Sequence, residues 1–198
     1  ADAYTIQNEP VASINLMERA AISCVEWMNT FQNLSNKHVV ILCGPGNNGG
    51  DGLAIARMLL EKQVQVLTFI PDESIKKSVD FTDNLQRFIE CGYETLSFET
   101  LDLKHLTENS IVIDALFGSG LSKPLEGIYK ELVNLINSCK CITISIDIPS
   151  GLYADRPVDP GKDSIIKADY TLSFQFPKLA FLFPENEYFA GNWQVLPI

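Results

Sequence analysis

No run of apolar residues in this chain approaches the roughly 20 needed to cross a bilayer, and no signal-peptide pattern opens it. Neither a membrane segment nor export is therefore expected, and the expected location is cytoplasmic. Basic charge is scarce: 15 Lys and Arg stand against 25 Asp and Glu, a net charge of −10. A nucleic-acid surface wants a basic face, so no nucleic-acid partner is expected. Histidine occurs only twice, and His38, just ahead of a strand, reads as a surface residue. The cysteines, Cys24, Cys43, Cys91, Cys139 and Cys141, are odd in number and sit mostly in apolar segments. They read as small buried hydrophobes in a reducing compartment, not as disulfides. Cys139 and Cys141 lack the second cysteine pair or nearby histidine that would complete a metal site. Linkers, low-complexity tracts and fixed-period repeats are missing too, so the 198 residues are expected to form one domain, 1–198.

What the chain does have is alternation. Leu16, Met17, Ala20, Ala21, Cys24, Val25, Met28 and Phe31 make an apolar stripe at helical spacing, with Asn15 and Glu18 placed as a capping-box-like start. Residues 39–43 and 64–70 read as strands, 75–90 as a helix closed by Gly92, and 93–98 as a short strand. A strand reaching Ile113, a helix over 126–137, a strand over 142–146 and late strands over 165–175 and 192–196 follow. Strands alternating with helices imply a parallel sheet covered on both faces. The expected fold class is α/β: a three-layer α/β/α sandwich with a Rossmann-like, mostly parallel central sheet.

Three buried strands end in polar, glycine-bearing loops: GPGNNGGDG from Gly44, DALFGSGLSKP from Asp114 and DIPSG from Asp147. Ligands of open parallel sheets lie beyond the carboxyl ends of the strands, so all three loops should face one crevice. Each alone could merely cap a turn; three together point to a site. Gly44-x-Gly46-x-x-Gly49 matches the dinucleotide fingerprint, a weak signal by itself. Pro45 stiffens that turn, and Asp51 near the helix start would repel a pyrophosphate. Pro71-Asp72-Glu73 only roughly supplies the acidic residue that the fingerprint wants after the second strand.

In order and spacing, GPGNNGGDG, DALFGSGLSKP and DIPSG resemble the NAD(P)H-hydrate epimerases, the YjeF N-terminal domain family. The resemblance runs from NEPVASINLMERAA to YFAGNWQV, nearly the whole chain. It implies epimerisation of the hydrated cofactors NADHX and NADPHX at carbon 6 of the damaged ring. It also implies a partner, an ADP- or ATP-dependent dehydratase that consumes the S epimer, fused beyond VLPI or separate; a homodimer is left open. By position, Asn47, Asn48, Gly49, Gly50 and Asp51 would contact the substrate. Gly118, Ser119, Gly120, Leu121, Ser122, Lys123 and Pro124 would form a loop near its phosphates, and Asp147 would touch the reacting part. A potassium ion is implied at Asn48, Asp114 and Ser150, oxygen ligands suited to a hard cation and not to zinc.

Inverting an aminol carbon requires its C–O bond to be broken and remade, or the ring to open and reclose. Either route moves protons, which suits a carboxylate alternating between base and acid. Asp147 is the expected acid–base group. Lys123 is the second candidate, as phosphate contact or proton donor, against the plain alternative of a solvated loop lysine. Tyr129 is placed either against the ligand or in the core, and Lys178, after a late strand, is a further candidate for the crevice. Two other functions remain open at this point. One is an NAD-dependent Rossmann oxidoreductase, for whose second domain 198 residues leave little room. The other is a non-catalytic nucleotide-binding or RNA-metabolism module, which could do without Asp51, Asp114 and Asp147.

Overall fold

The computed structural model describes residues 12–30, 34–159 and 163–198. The stripe on the first helix of the described residues, α1 (Ser13–Met28), packs as its periodicity requires: Leu16, Met17, Ala20, Ala21, Cys24, Val25 and Met28 are buried. Phe31, the last member of the expected stripe, lies outside the described residues. The helix starts two residues earlier than Asn15, behind Ala12 and with no side-chain cap. Glu18 is taken up instead by Arg57 and Arg87, at 2.7 and 3.1 Å.

Strand β1 (His38–Cys43) runs into α2 (Asn47–Glu61), then β2 (Gln65–Ile70), α3 (Val79–Glu90) and the short β3 (Leu96–Ser97). Strand β4 (Ser110–Ala115), α4 (Ile128–Asn137), β5 (Ile142–Ile146), β6 (Tyr170–Phe174), the one-turn α5 (Glu187–Ala190) and β7 (Asn192–Leu196) complete the chain. The seven strands among the described residues are all parallel, in the order β3-β2-β1-β4-β5-β6-β7. The expected central strands β1, β4 and β5 are therefore direct neighbours. Alternation along the strands splits the core into two layers. Val39, Ile41 and Cys43 face the layer of α1, α2 and α3, with Phe81 and Phe88 fully buried. Val40 and Leu42 face the layer of α4, against Leu132, Val133 and Ile136.

Several element ends differ from expectation for local reasons. The helix expected from residue 75 begins at Val79. Asp72 accepts the Ser74 N–H at 2.8 Å in a turn, and Ser78 caps the helix through the Phe81 N–H at 3.1 Å. The helix expected from Glu126 begins at Ile128, since Gly127 has φ +55°, a conformation no right-handed helix contains. The strand expected over 93–98 shrinks to Leu96–Ser97, and that over 165–175 to Tyr170–Phe174.

Between β1 and β4 the winding of the chain reverses, which opens a crevice at the strand ends. Glycine lets the backbones meet there. A Cβ on Gly44 would lie 1.7 Å from the Leu116 carbonyl oxygen, and one on Gly49 would lie 1.7 Å from that of Gly44. Gly46, between them, has open space. Gly44→Ala and Gly49→Ala should each lower the unfolding free energy by about 3 kcal/mol or more, because backbone must move to admit the methyl group. Gly46→Ala should cost about 1 kcal/mol or less. Urea unfolding measures all three, and a wild-type midpoint for Gly44→Ala would contradict the packing.

Candidate functional site

The first loop delivers a helix N-terminus. Gly46 precedes α2 in extended conformation and offers no side chain to cap it. The first-turn N–H groups of a helix lack partners within it and carry its positive end. Asn47, Asn48 and Asp51 point from this turn into the crevice. Asn48 is 8 % exposed, and neither its amide oxygen nor its amide nitrogen has a protein hydrogen-bond partner.

The second loop starts later than expected. Asp114 lies inside β4, not beyond it, and is completely buried. It accepts hydrogen bonds from Ser150 Oγ (2.5 Å), Ser145 Oγ (2.7 Å), the Ser150 N–H (2.8 Å) and the Leu116 N–H (3.3 Å). Burial pushes the carboxyl pKa up; hydrogen bonds from Ser150, Ser145 and Leu116 pull it back without cancelling the rise. Ser150 Oγ also accepts the Phe117 N–H at 2.9 Å, so the second and third loops are joined through this hydroxyl.

Asp147 opens the third loop with φ +67°. Its own N–H bonds to Leu172 O at 2.7 Å, and the Ile148 N–H bonds back to Ile146 O at 2.8 Å, closing a γ-turn in its rare positive-φ form. One carboxylate oxygen accepts the Ser119 N–H at 2.8 Å and the other pairs with Lys178 Nζ at 2.7 Å. The next strand repeats the device. Gln175 has φ +59°, with the Phe176 N–H on Phe174 O at 2.6 Å. Strained residues of this kind persist where the surroundings over-determine them, commonly at functional sites.

These loops enclose a cleft of about 740 Å³. Gly118, Ser119, Gly120, Leu121, Ser122 and Lys123 form one wall and Asp147 part of the floor, as expected, while Phe117, Gln175 and Lys178 complete it. Of these three, only Lys178 carried any signal in the sequence. Other candidates stand outside the lining. Gly49 lies under Gly44, Gly50 faces Met17 of α1, and Asp114 and Ser150 are sealed below. Pro124 ends its loop beyond the cleft. Tyr129 sits behind Phe117, edge-on at 4.8 Å, and against Phe98 at 6.1 Å. Burial and the charge of Glu99 push the Tyr129 phenol pKa up. Cys24 is buried in α1, and burial, then the charges of Asp51 and Asp147, push its thiol pKa well up, which makes it unreactive. Among the described residues no three of His, Cys, Asp and Glu come together as a metal site. To a cation the cleft offers oxygen from amide, hydroxyl, carbonyl and the carboxylates of Asp51 and Asp147.

The model of the family "YjeF-related protein N-terminus" matches residues 13–180. The NAD(P)H-hydrate epimerase of Oenococcus oeni is 34% identical over 190 residues, 96% of this chain and 88% of that protein. The epimerase of Anaerococcus prevotii is 38% identical over 182 residues, covering 89% and 81%. The bifunctional NAD(P)H-hydrate repair enzyme of Thermofilum pendens is 37% identical over 184 residues; this chain spans 91% of itself but 34% of that protein's length. Among solved structures, that of yeast ynu0 superposes with a TM-score of 0.74 over 89% of this chain and 77% of its own, at 24% identity, a likeness of fold.

Ser150→Ala should destabilise the fold by about 2–3 kcal/mol, because it strips a charge-assisted bond from Asp114 and a partner from the Phe117 N–H. Ser145→Ala removes a single donor and should cost about 1 kcal/mol. Denaturant unfolding compares them, and equal costs would show that Ser150 does not join the two loops.

Proposed function

This chain belongs to the YjeF-related N-terminal family, and on that footing we propose that it interconverts the R and S epimers of hydrated NADH and NADPH. It is then an isomerase of nicotinamide nucleotide repair, and an S-specific dehydratase, fused or separate, is the reaction that consumes its product. The observation that carries the proposal is Asp147, a carboxylate held in a strained turn on the floor of a cleft that opens at a helix N-terminus. All five cysteines are free thiols, which suits a reducing compartment such as the cytoplasm.

In this proposal the anionic phosphates lie along the 118–123 wall with Lys123, close to the positive end of α2. The damaged ring then reaches Asp147. Each carboxylate oxygen has two lone-pair sites, so the contacts to Ser119 and Lys178 leave each oxygen one site free. Asp147 takes the proton from the carbon 6 hydroxyl as the ring bond to nitrogen breaks, and returns it to the carbonyl oxygen when the nitrogen re-adds to the opposite face. If the C–O bond breaks instead, the carboxyl gives a proton to the departing hydroxyl, which leaves as water, and takes one back from the water that re-adds to the opposite face.

Potassium fits the residues beneath the cleft. Asn48 has a buried amide oxygen without a partner, and Asp114 is a desolvated carboxyl whose bond to Leu116 is long enough to yield a coordination site. Asn48, Asp114 and Ser150 would hold the ion, which would supply positive charge and tie the three loops together. No proton passes through it.

Asp147→Asn should slow interconversion by about 10²–10⁴-fold, the usual weight of a general acid–base group. Asparagine is the right probe, because it tolerates positive φ where alanine would add backbone strain. The assay starts from one purified epimer and follows its loss of isomeric purity by chromatography. A wild-type rate would move the role to Lys123.

Potassium at 100 times its Kd should add about 2.7 kcal/mol, or roughly 5–10 °C in Tm for a chain of this size, relative to tetramethylammonium. Asn48→Ala should abolish the increment. The Asp114 pKa is raised by folding, so its stabilising contribution is complete below the unfolded value of about 3.9 and is lost as pH rises through the folded value. The potassium increment should therefore grow with pH across that window. A cation-independent Tm at all pH values would eliminate the site.

A further inference from the structure

We propose that Lys178 is the positioning residue for Asp147, fixing the direction of the carboxylate that exchanges the proton. This rests on the assignment of Asp147 in the proposed function. The two side chains meet at 2.7 Å and are only 19 % and 14 % exposed, so the pair is sheltered from much of the screening that weakens surface ion pairs.

Both partners are delivered by constrained backbone. Asp147 and Gln175 occupy matching positive-φ turns at the ends of neighbouring strands β5 and β6. The second turn sends the chain back toward the first, and Lys178 follows three residues later. Its main chain is anchored in turn: the Lys178 carbonyl accepts the Phe181 N–H at 3.1 Å, and the Ala180 N–H bonds to Ala154 O at 2.9 Å. Ala180 itself is fully buried. A flexible lysine stem thus starts from a fixed point and ends on a fixed carboxylate.

The arrangement divides labour between the two oxygens of Asp147. Lys178 holds Oδ1 and the Ser119 N–H holds Oδ2, so the carboxylate cannot rotate without losing a charge-assisted bond. The remaining lone pairs then point at one place in the cleft. Substrate affinity comes from the wall of the 118–123 loop and the start of α2, so loss of Lys178 should affect turnover and spare binding.

Lys178→Met should lower kcat about 100-fold, the cost of a misplaced catalytic group, while KM stays within about threefold. Lys178→Arg should recover most of the loss, because a guanidinium also donates to a carboxylate. In Lys178→Ala, methylammonium should restore activity in a saturable manner by filling the vacated space beside the cleft. In an Asp147→Asn background, Lys178→Met should cause no further loss. A merely structural ion pair would show neither amine rescue nor this non-additivity. Wild-type kcat in Lys178→Met overturns the proposal, as does a tenfold rise in KM at constant kcat, which would make Lys178 a phosphate contact. Additive losses also overturn it, because Lys178 would then act without Asp147. If Lys178→Met melts without cooperativity, Lys178→Arg and the amine titration decide; a folded arginine variant with no recovery, together with no rescue, counts against it. Absence of interconversion by the wild-type chain would instead sink the epimerase function itself, and this inference with it.

Discussion

A carboxylate sealed from water sits at the centre of this structure. An isolated charge in such a place costs several kcal/mol, and it persists only where donors converge on it. Asp114 has gathered four, from Leu116 just past the end of its own strand, Ser145 on β5 and Ser150 in the turn beyond. The three-dimensional relation of β4, β5 and the DIPSG turn is thereby fixed. Ser150 lies three residues after Asp147, and Leu172 of β6 holds Asp147 from the other side. The strained turn at Asp147 is tied at both ends, which is how a conformation costing about 1–3 kcal/mol can be maintained.

Around this hub the charge of the molecule is unevenly spent. A chain of net charge −10 would repel an anionic nucleotide at long range. The cleft offsets this locally with Lys123 and the N–H groups that open α2. Backbone supplies much of that attraction, and backbone can approach only because Gly44 and Gly49 carry no Cβ.

Much of this was legible in the chain. An apolar run broken by GPGNNGGDG announces a strand, a turn and a helix N-terminus, and the recurrence of Asp and Gly after two further strands places three loops at one end of a parallel sheet. The strand neighbours and the convergence of Asn47, Asp51, Ser119 and Asp147 follow from that. What escaped depended on distant or conformational facts. Asp114 reads as a post-strand residue because charged groups rarely sit inside buried strands, and only the serines from β5 and its turn make it tolerable there. Tyr129 is an aromatic at a helix start, equally at home against a ligand or against Phe117, and nothing local chooses. Gln175 adopts positive φ without any turn signature in Phe174-Gln175-Phe176, so the path that brings Lys178 home has no mark in the sequence.

The register between β5 and β6 runs only from Ile144 to Ile146, whereas β1 and β4 are paired along all of β1. Asp147 takes its main-chain anchor and its ammonium partner from the β6 side, while the glycine turn takes its support from β4. The two halves of the cleft therefore differ in resilience. Fraying that begins at the β7 edge and reaches β6 would release Asp147 and leave the α2 N-terminus as it was. Such a partly opened molecule would still hold a nucleotide yet leave its stereocentre untouched, a form in which occupancy and turnover come apart.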